Sequence, residues 1–195
     1  SAGEPTIFAD LGETLLEMGE VDKAIERANF GLKVSAALHA ERVKCYCVLI
    51  RGLAMKNQME KALEYFDEAL KVLEFHLGPY HPLHSTVYSV LGHFYAERKL
   101  YQDALFLYKS SLVCCIRILG PNHTHTGEVY MDLANLMLRM GQREEALNNF
   151  EKAYLVFEAS KGPECADCAA TSYQMANIQL GFGNIALIFF FSWLT

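Results

Sequence analysis

Tyr88-Ser89-Val90-Leu91-Gly92-His93-Phe94-Tyr95, followed by Ala104-Leu105-Phe106-Leu107-Tyr108, is the stretch whose reading decides the fold. Large residues at 88, 91 and 95 share one face of a helix, with a small residue beside the second of them. Ala104 and Tyr108, four apart, open a second helix in the same way. Moving forward 42 residues gives Tyr130, Leu133, Ala134 and Met137, then Ala146, Phe150 and Ala153. Moving back 42 gives Tyr46, Leu49, Ile50 and Leu53, then Ala62, Phe66 and Ala69. A further copy lies 38 residues earlier as Phe8, Leu11, Gly12, Leu15, Ala24, Ala28 and Gly31, and a partial fifth begins at Met175, Ala176 and Asn177.

Self-similarity at a fixed period of this size marks a stacked repeat architecture, and it is tested first because missing it misreads the fold. Gly or Ala midway along the first helix and Ala in the second let two backbones approach, while the aromatics fill the space between hairpins. No hairpin buries its apolar face alone, so stability comes from stacking. Helices are expected at 5–18, 21–36, 39–56, 59–76, 83–98, 101–119, 125–140, 143–160 and 167–181. Gly19 and Gly141 punctuate paired helices, and Asn57-x-x-Glu60 reads as a capping box opening one of them.

The residue spacing resembles the tetratricopeptide pattern. That resemblance implies an all-α solenoid of helical hairpins wound into a right-handed superhelix, with a concave surface lined mainly by the first helix of each pair. Four full repeats are expected, at about 5–38, 43–80, 85–122 and 127–164, with a partial fifth at 169–184. The ordinary period of this repeat is about 34 residues, so longer second helices and longer loops must house the surplus. Leu77-Gly78-Pro79-Tyr80-His81-Pro82 and Leu119-Gly120-Pro121-Asn122-His123-Thr124 are those loops, and Gly162-Pro163-Glu164 marks a third. Gly ends a helix in a left-handed conformation and Pro forbids its continuation. The long repeat with its Leu-Gly-x-x-His-Pro loop is similar to that of kinesin light chains, which implies capture of short linear peptides in the concave groove. The Asn-Asn-Leu-Ala runs of that family are replaced here by Cys47-Val48-Leu49-Ile50, Ser89-Val90-Leu91-Gly92 and Met131-Asp132-Leu133-Ala134.

Composition agrees with a folded chain: 195 residues, 52% hydrophobic and 21% charged. The net charge of −6 arises from 23 acidic and 17 basic side chains that are interspersed. No basic face exists to neutralise a phosphate backbone, so nucleic acid is not an expected partner. Six cysteines fall in close pairs, Cys45/Cys47, Cys114/Cys115 and Cys165/Cys168, in a chain with too large a core to need stapling. A reducing, cytoplasmic compartment is expected, with cytoskeletal or ciliary association as one setting. The sequence opens Ser1-Ala2-Gly3 without Met, as a fragment or processed chain does.

Cys165-x-x-Cys168 at a helix start has the form of a redox pair or half a zinc site. The sequence supplies no second Cys-x-x-Cys, and a redox motif of this kind expects a βαβ setting, so packed thiols are the expected state. His81, His84, His123 and His125 belong to the repeated loops and are expected to stabilise them. No phosphate cradle, no Gly-x-Ser-x-Gly elbow and no His-Glu-x-x-His occur. Catalysis, a metal and a cofactor are therefore not expected.

The expected work of the chain is protein binding. Nine places into successive first helices stand Glu13, Arg51, His93, Asn135 and Asn177, with Lys44, Glu97, Glu128 and Arg139 nearby. We take Lys44, Arg51, His93, Glu97, Asn135, Arg139 and Asn177 as the peptide-binding groove. The Lys and Asn carboxylate clamp of chaperone-tail receptors is absent, since its Lys position holds Ala9, Cys47, Ser89, Met131 and Tyr173. Two other roles are carried forward: a rigid spine in a cytoskeletal, ciliary or transport assembly, and an accessory domain of a larger enzyme. After residue 184 the pattern breaks into the apolar tail 185–195, too short for the roughly 20 residues that span a bilayer. The tail is expected to cover the last hairpin or to promote self-association.

Overall fold

The computed structural model describes the backbone of residues 6–35 and 38–194, and the side-chain surroundings of residues 7–35 and 38–180. Among these residues nine α-helices follow in order: α1 Thr6–Glu17, α2 Val21–Val34, α3 His39–Met55, α4 Met59–Val72, α5 Leu83–Glu97, α6 Tyr101–Ile118, α7 Thr124–Arg139, α8 Arg143–Lys161 and α9 Ala166–Leu194. No strand occurs among the described residues. The all-α hairpin array expected from the sequence is therefore the observed fold.

Three local departures have physical causes. The helix expected at 59–76 ends as a π-helical turn, Leu73–Leu77, that continues α4 into the loop. The capping box is not formed. Asn57 itself takes φ +61° and makes the turn, while Gln58 is the N-cap of α4 without a side-chain cap bond. Asn tolerates the left-handed region, and the carboxamide oxygen of Asn57 accepts from Arg98 instead of capping. Lys99 holds the same place in the next hairpin with φ +61°, as do Gly19 and Gly141 at +78° and +79° in theirs. Last, α9 runs to Leu194, so the turn expected after 181 does not interrupt the helix. The proposed covering or self-association by the tail concerns side chains outside the described residues.

The chain divides into two compact units, residues 1–114 and 115–195. In the first, α1 pairs with α2, α3 pairs with α4, and α3 also packs on α1, α2 and α5. Its core joins Ala24, Ala28, Val43, Val48 and Leu49 with Ala69, Leu73 and Val87, and continues into Ile50, Leu53, Ala62, Leu91, Phe94 and Leu107. In the second, α8 packs on α7 and on α9, and Ala153, Phe157 and Cys168 form a cluster edged by Tyr130 and Met131.

Close approach follows the small residues. A Cβ on Gly92 would lie 2.7 Å from Cε1 of Tyr108, and one on Gly31 would lie 2.8 Å from Sγ of Cys45. Ala24, Ala62, Ala104 and Ala146 are all fully buried. Stacking, not pairing, completes the burial. Ile7 and Leu11 of the first hairpin are 55% and 39% exposed, whereas their register equivalents Cys45, Val87, Leu49 and Leu91 are buried.

Candidate functional site

The expected groove residues project from first helices whose opposite faces are fixed in the core. In the first unit Arg51 forms an ion pair with Glu13 of α1, and both side chains are partly exposed. Burial lowers the Arg51 pKa, and the nearby charge of Glu97 raises it. Arg51 is thus already engaged with Glu13 and also feels the charge of Glu97. His93 is exposed and its Nδ1 lies 2.8 Å from the Tyr108 hydroxyl, with the two rings edge to face. Glu97 is exposed one turn further on. Lys44 pairs with Glu41 at 3.2 Å, three residues before it on α3.

In the second unit Asn135, Arg139 and Asn177 are exposed, while their helix neighbours Leu133, Ala134, Leu136, Met137 and Ile178 are buried. The structure thus pairs Glu13 with Arg51, within electrostatic reach of Glu97, and places Asn135, Arg139 and Asn177 on the exposed surface. Glu13 matters more than its place in the sequence reading allowed, because it neutralises Arg51.

The His and Cys residues of the loops acquire a common explanation. Residues 84, 126 and 168 are register equivalents, and each bonds the carbonyl of the glycine six positions earlier. His84 Nε2 lies 3.1 Å from the Gly78 oxygen, Thr126 donates to Gly120 at 2.9 Å, and the Cys168 thiol donates to Gly162 at 3.5 Å. Residues 81, 123 and 165 accept backbone N–H groups at the start of the following helix. His81 Nδ1 accepts from Leu83, His123 Nδ1 from His125 and Cys165 Sγ from Cys168. The glycines take φ of +81°, +98° and +88°. Each loop is therefore locked at both ends by a side chain at a fixed register, and Cys165-x-x-Cys168 is the third copy of that lock.

Thiol chemistry agrees. Burial raises the Cys168 pKa to about 11, helped by its hydrogen bond with Cys165. Burial likewise raises Cys45 to about 11 and Cys47 to about 12. Thiols held neutral in this way are poor nucleophiles and poor metal ligands. Among the described residues no three His, Cys, Asp or Glu side chains are grouped to hold a metal ion. No helix among them is long and apolar enough to cross a membrane.

A stack of such hairpins with a varied polar face defines a helical-repeat protein of the kind that binds other proteins. The sequence profile of the tetratricopeptide repeat matches residues 51–113 and 86–159, and the chain belongs to that family. Kindred architectures support the fold. A Podosopora anserina protein of nearly identical TPR-like repeats, described as a putative kinesin light chain, superposes with a TM-score of 0.68 at 18% identity, covering 93% of this chain and 90% of that one. A thermophilic TPR protein of Thermus thermophilus gives 0.61 at 21% identity, covering 91% and 82%. In sequence, the Clustered mitochondria protein homolog of Coccidioides immitis is 28% identical over 162 residues, 81% of this chain but 13% of the relative. The homolog of Candida albicans is 26% identical over 108 residues, 55% of this chain and 8% of that protein. The chain thus spans a small part of the curated relatives it matches.

Proposed function

We propose that this chain is a protein-interaction module that holds an extended peptide or a partner helix against the polar face of its first helices. The observation that carries the reading is the contrast between register positions. Scaffold places repeat as Ala24, Ala62, Ala104 and Ala146, whereas the solvent-facing place reads Arg51, His93, Asn135 and Asn177. A surface shaped for one ligand varies in this way, because each repeat meets a different part of it. Asn135 and Asn177 can bond a peptide backbone through both donor and acceptor atoms. Around Arg51 the charges of Glu13 and Glu97 outnumber one guanidinium, so the ligand segment bound there carries a basic or hydrogen-bond-donating side chain rather than an acidic one. We place this work in the cytoplasm.

The test is capture of protein partners by the wild type and by a variant combining Glu97→Lys, Asn135→Ala and Asn177→Ala. All three positions are exposed, so the circular dichroism spectrum and melting temperature stay nearly unchanged while capture falls about tenfold or more. A variant that retains every partner replaces this reading with that of a structural spine in a cytoskeletal or transport assembly.

The comparisons favour one second reading, the array as an accessory part of a larger protein, because the relatives are many times longer than the segment they share with it. Those relatives are named for clustered mitochondria. On that reading the repeat array is the protein-binding part of a larger chain.

A further inference from the structure

We infer that the first unit carries a second docking surface, on its second helices, built for a cationic amphipathic helix of a partner protein. The departure from register locates it. At the place of Phe106 the other second helices carry Glu26, Glu64 and Asn148, all exposed. Phe106 is 70% exposed, and Val113, two turns further along α6, is 62% exposed; at the place of Val113 α2 and α4 carry Lys33 and Lys71 and α8 an exposed Leu155, so the departure peculiar to α6 is Phe106. A solvated position has become an aromatic one, and the stacking of hairpins does not account for it.

Two shallow clefts of about 340 Å³ each, largely open to solvent, share Phe106 in their lining. The first is lined by Leu63, Phe66 and Asp67 of α4, Leu91 and Tyr95 of α5, and Asp103 of α6. The second lies beside Tyr88, Lys109 and Val113. From Asp103 to Val113 the surface follows α6 for about 15 Å at 1.5 Å per residue. That length accepts two apolar anchors about two turns apart on a docked helix, one in each cleft.

Charge selects the occupant. Asp67 and Asp103 are both exposed at the first cleft, with Lys71, which pairs with Glu68, one turn beyond Asp67 on α4. A Lys or Arg beside the first anchor meets them, and a carboxylate near the second meets Lys109. A helix brings its own backbone hydrogen bonds and sets apolar anchors on one face with charges on its flanks, which matches an apolar strip of this length edged by carboxylates.

The experiment uses the full chain and a labelled synthetic helix of about 15 residues with Leu anchors at i and i+7 and Lys on the flanks. A second peptide has Glu in place of Lys. Fluorescence anisotropy is expected to show binding of the Lys peptide that weakens with salt and exceeds that of the Glu peptide. Phe106→Glu, which installs the residue α2 and α4 carry there, is expected to weaken binding about tenfold or more with an unchanged circular dichroism spectrum. Asp67→Asn with Asp103→Asn is expected to remove the preference for Lys over Glu. The Glu97→Lys, Asn135→Ala, Asn177→Ala variant keeps binding, which separates this surface from the first-helix face. Equal binding by wild type and Phe106→Glu, equal binding of the two peptides, or loss of binding in the first-helix variant would each overturn the proposal.

Discussion

At the scale of single residues, the fold depends on places where a side chain is missing. Gly92 faces a Tyr108 ring that is 2% exposed and held by His93, so the ring cannot yield when a methyl arrives. Gly→Ala in a helix interior ordinarily gains up to about 1 kcal/mol from propensity. Here overpacking costs about 1–3 kcal/mol, so Gly92→Ala is expected to lower stability by about 1 kcal/mol in urea unfolding. A gain would show that the ring moves freely. The sequence made this position legible, because a small residue stands there in three of the four full repeats, as Gly12, Gly92 and Ala134, with Ile50 the exception. It did not make the Glu13–Arg51 pair legible, since that contact joins two hairpins and depends on how α1 lies on α3.

At the scale of elements, the loops carry more structure than their residue types announce. His84, Thr126 and Cys168 share no chemistry beyond a donor group at one register, yet all three satisfy a glycine carbonyl at a helix end. Thr126 is fully buried and makes the shortest of these bonds. Thr126→Ala should therefore cost about 1–2 kcal/mol, and Cys168→Ala less, because S–H is a weak donor. Cys168→Ser should leave the melting temperature nearly unchanged. Thermal unfolding of the three variants orders them, and a collapse on Cys168→Ser would point to a thiol-specific role after all. Helix positions were readable from period and turn residues. The left-handed Lys99 was not, because Lys gives no local signal for φ > 0 and only the register with Gly19 and Gly141 imposes it.

At the scale of the whole molecule, buried acids set the response to pH. The thiols of Cys45, Cys47 and Cys168 are raised to about 11, 12 and 11 from an ordinary 9.0. A raised folded pKa means that the unfolded chain releases its proton first. The stabilisation is complete below about pH 9 and is lost as pH climbs through the folded values. Burial shifts Tyr88 and Tyr95 upward as well, with the same sign. Urea midpoints should hold steady from pH 7 to about 8.5 and fall toward pH 10 and above. Replacing Cys45 and Cys47 by Ala should make that decline shallower. A flat profile across the alkaline range would mean that these thiols ionise as readily folded as unfolded.

The sequence by itself determined the helical hairpins, their register and the loop glycines, because these follow from local spacing, steric size and backbone preference repeated along the chain. It also marked the varied polar places on the first helices. Tertiary structure alone decided which of those side chains are already engaged, as Arg51 is with Glu13. It alone gave Cys165 and Cys168 their place in the loop lock. The exposed Phe106 with its two clefts likewise emerged only there. The physical reason is the same in each case: periodicity fixes which face of a helix is apolar, but the partner of a side chain depends on the distance between elements that only packing sets.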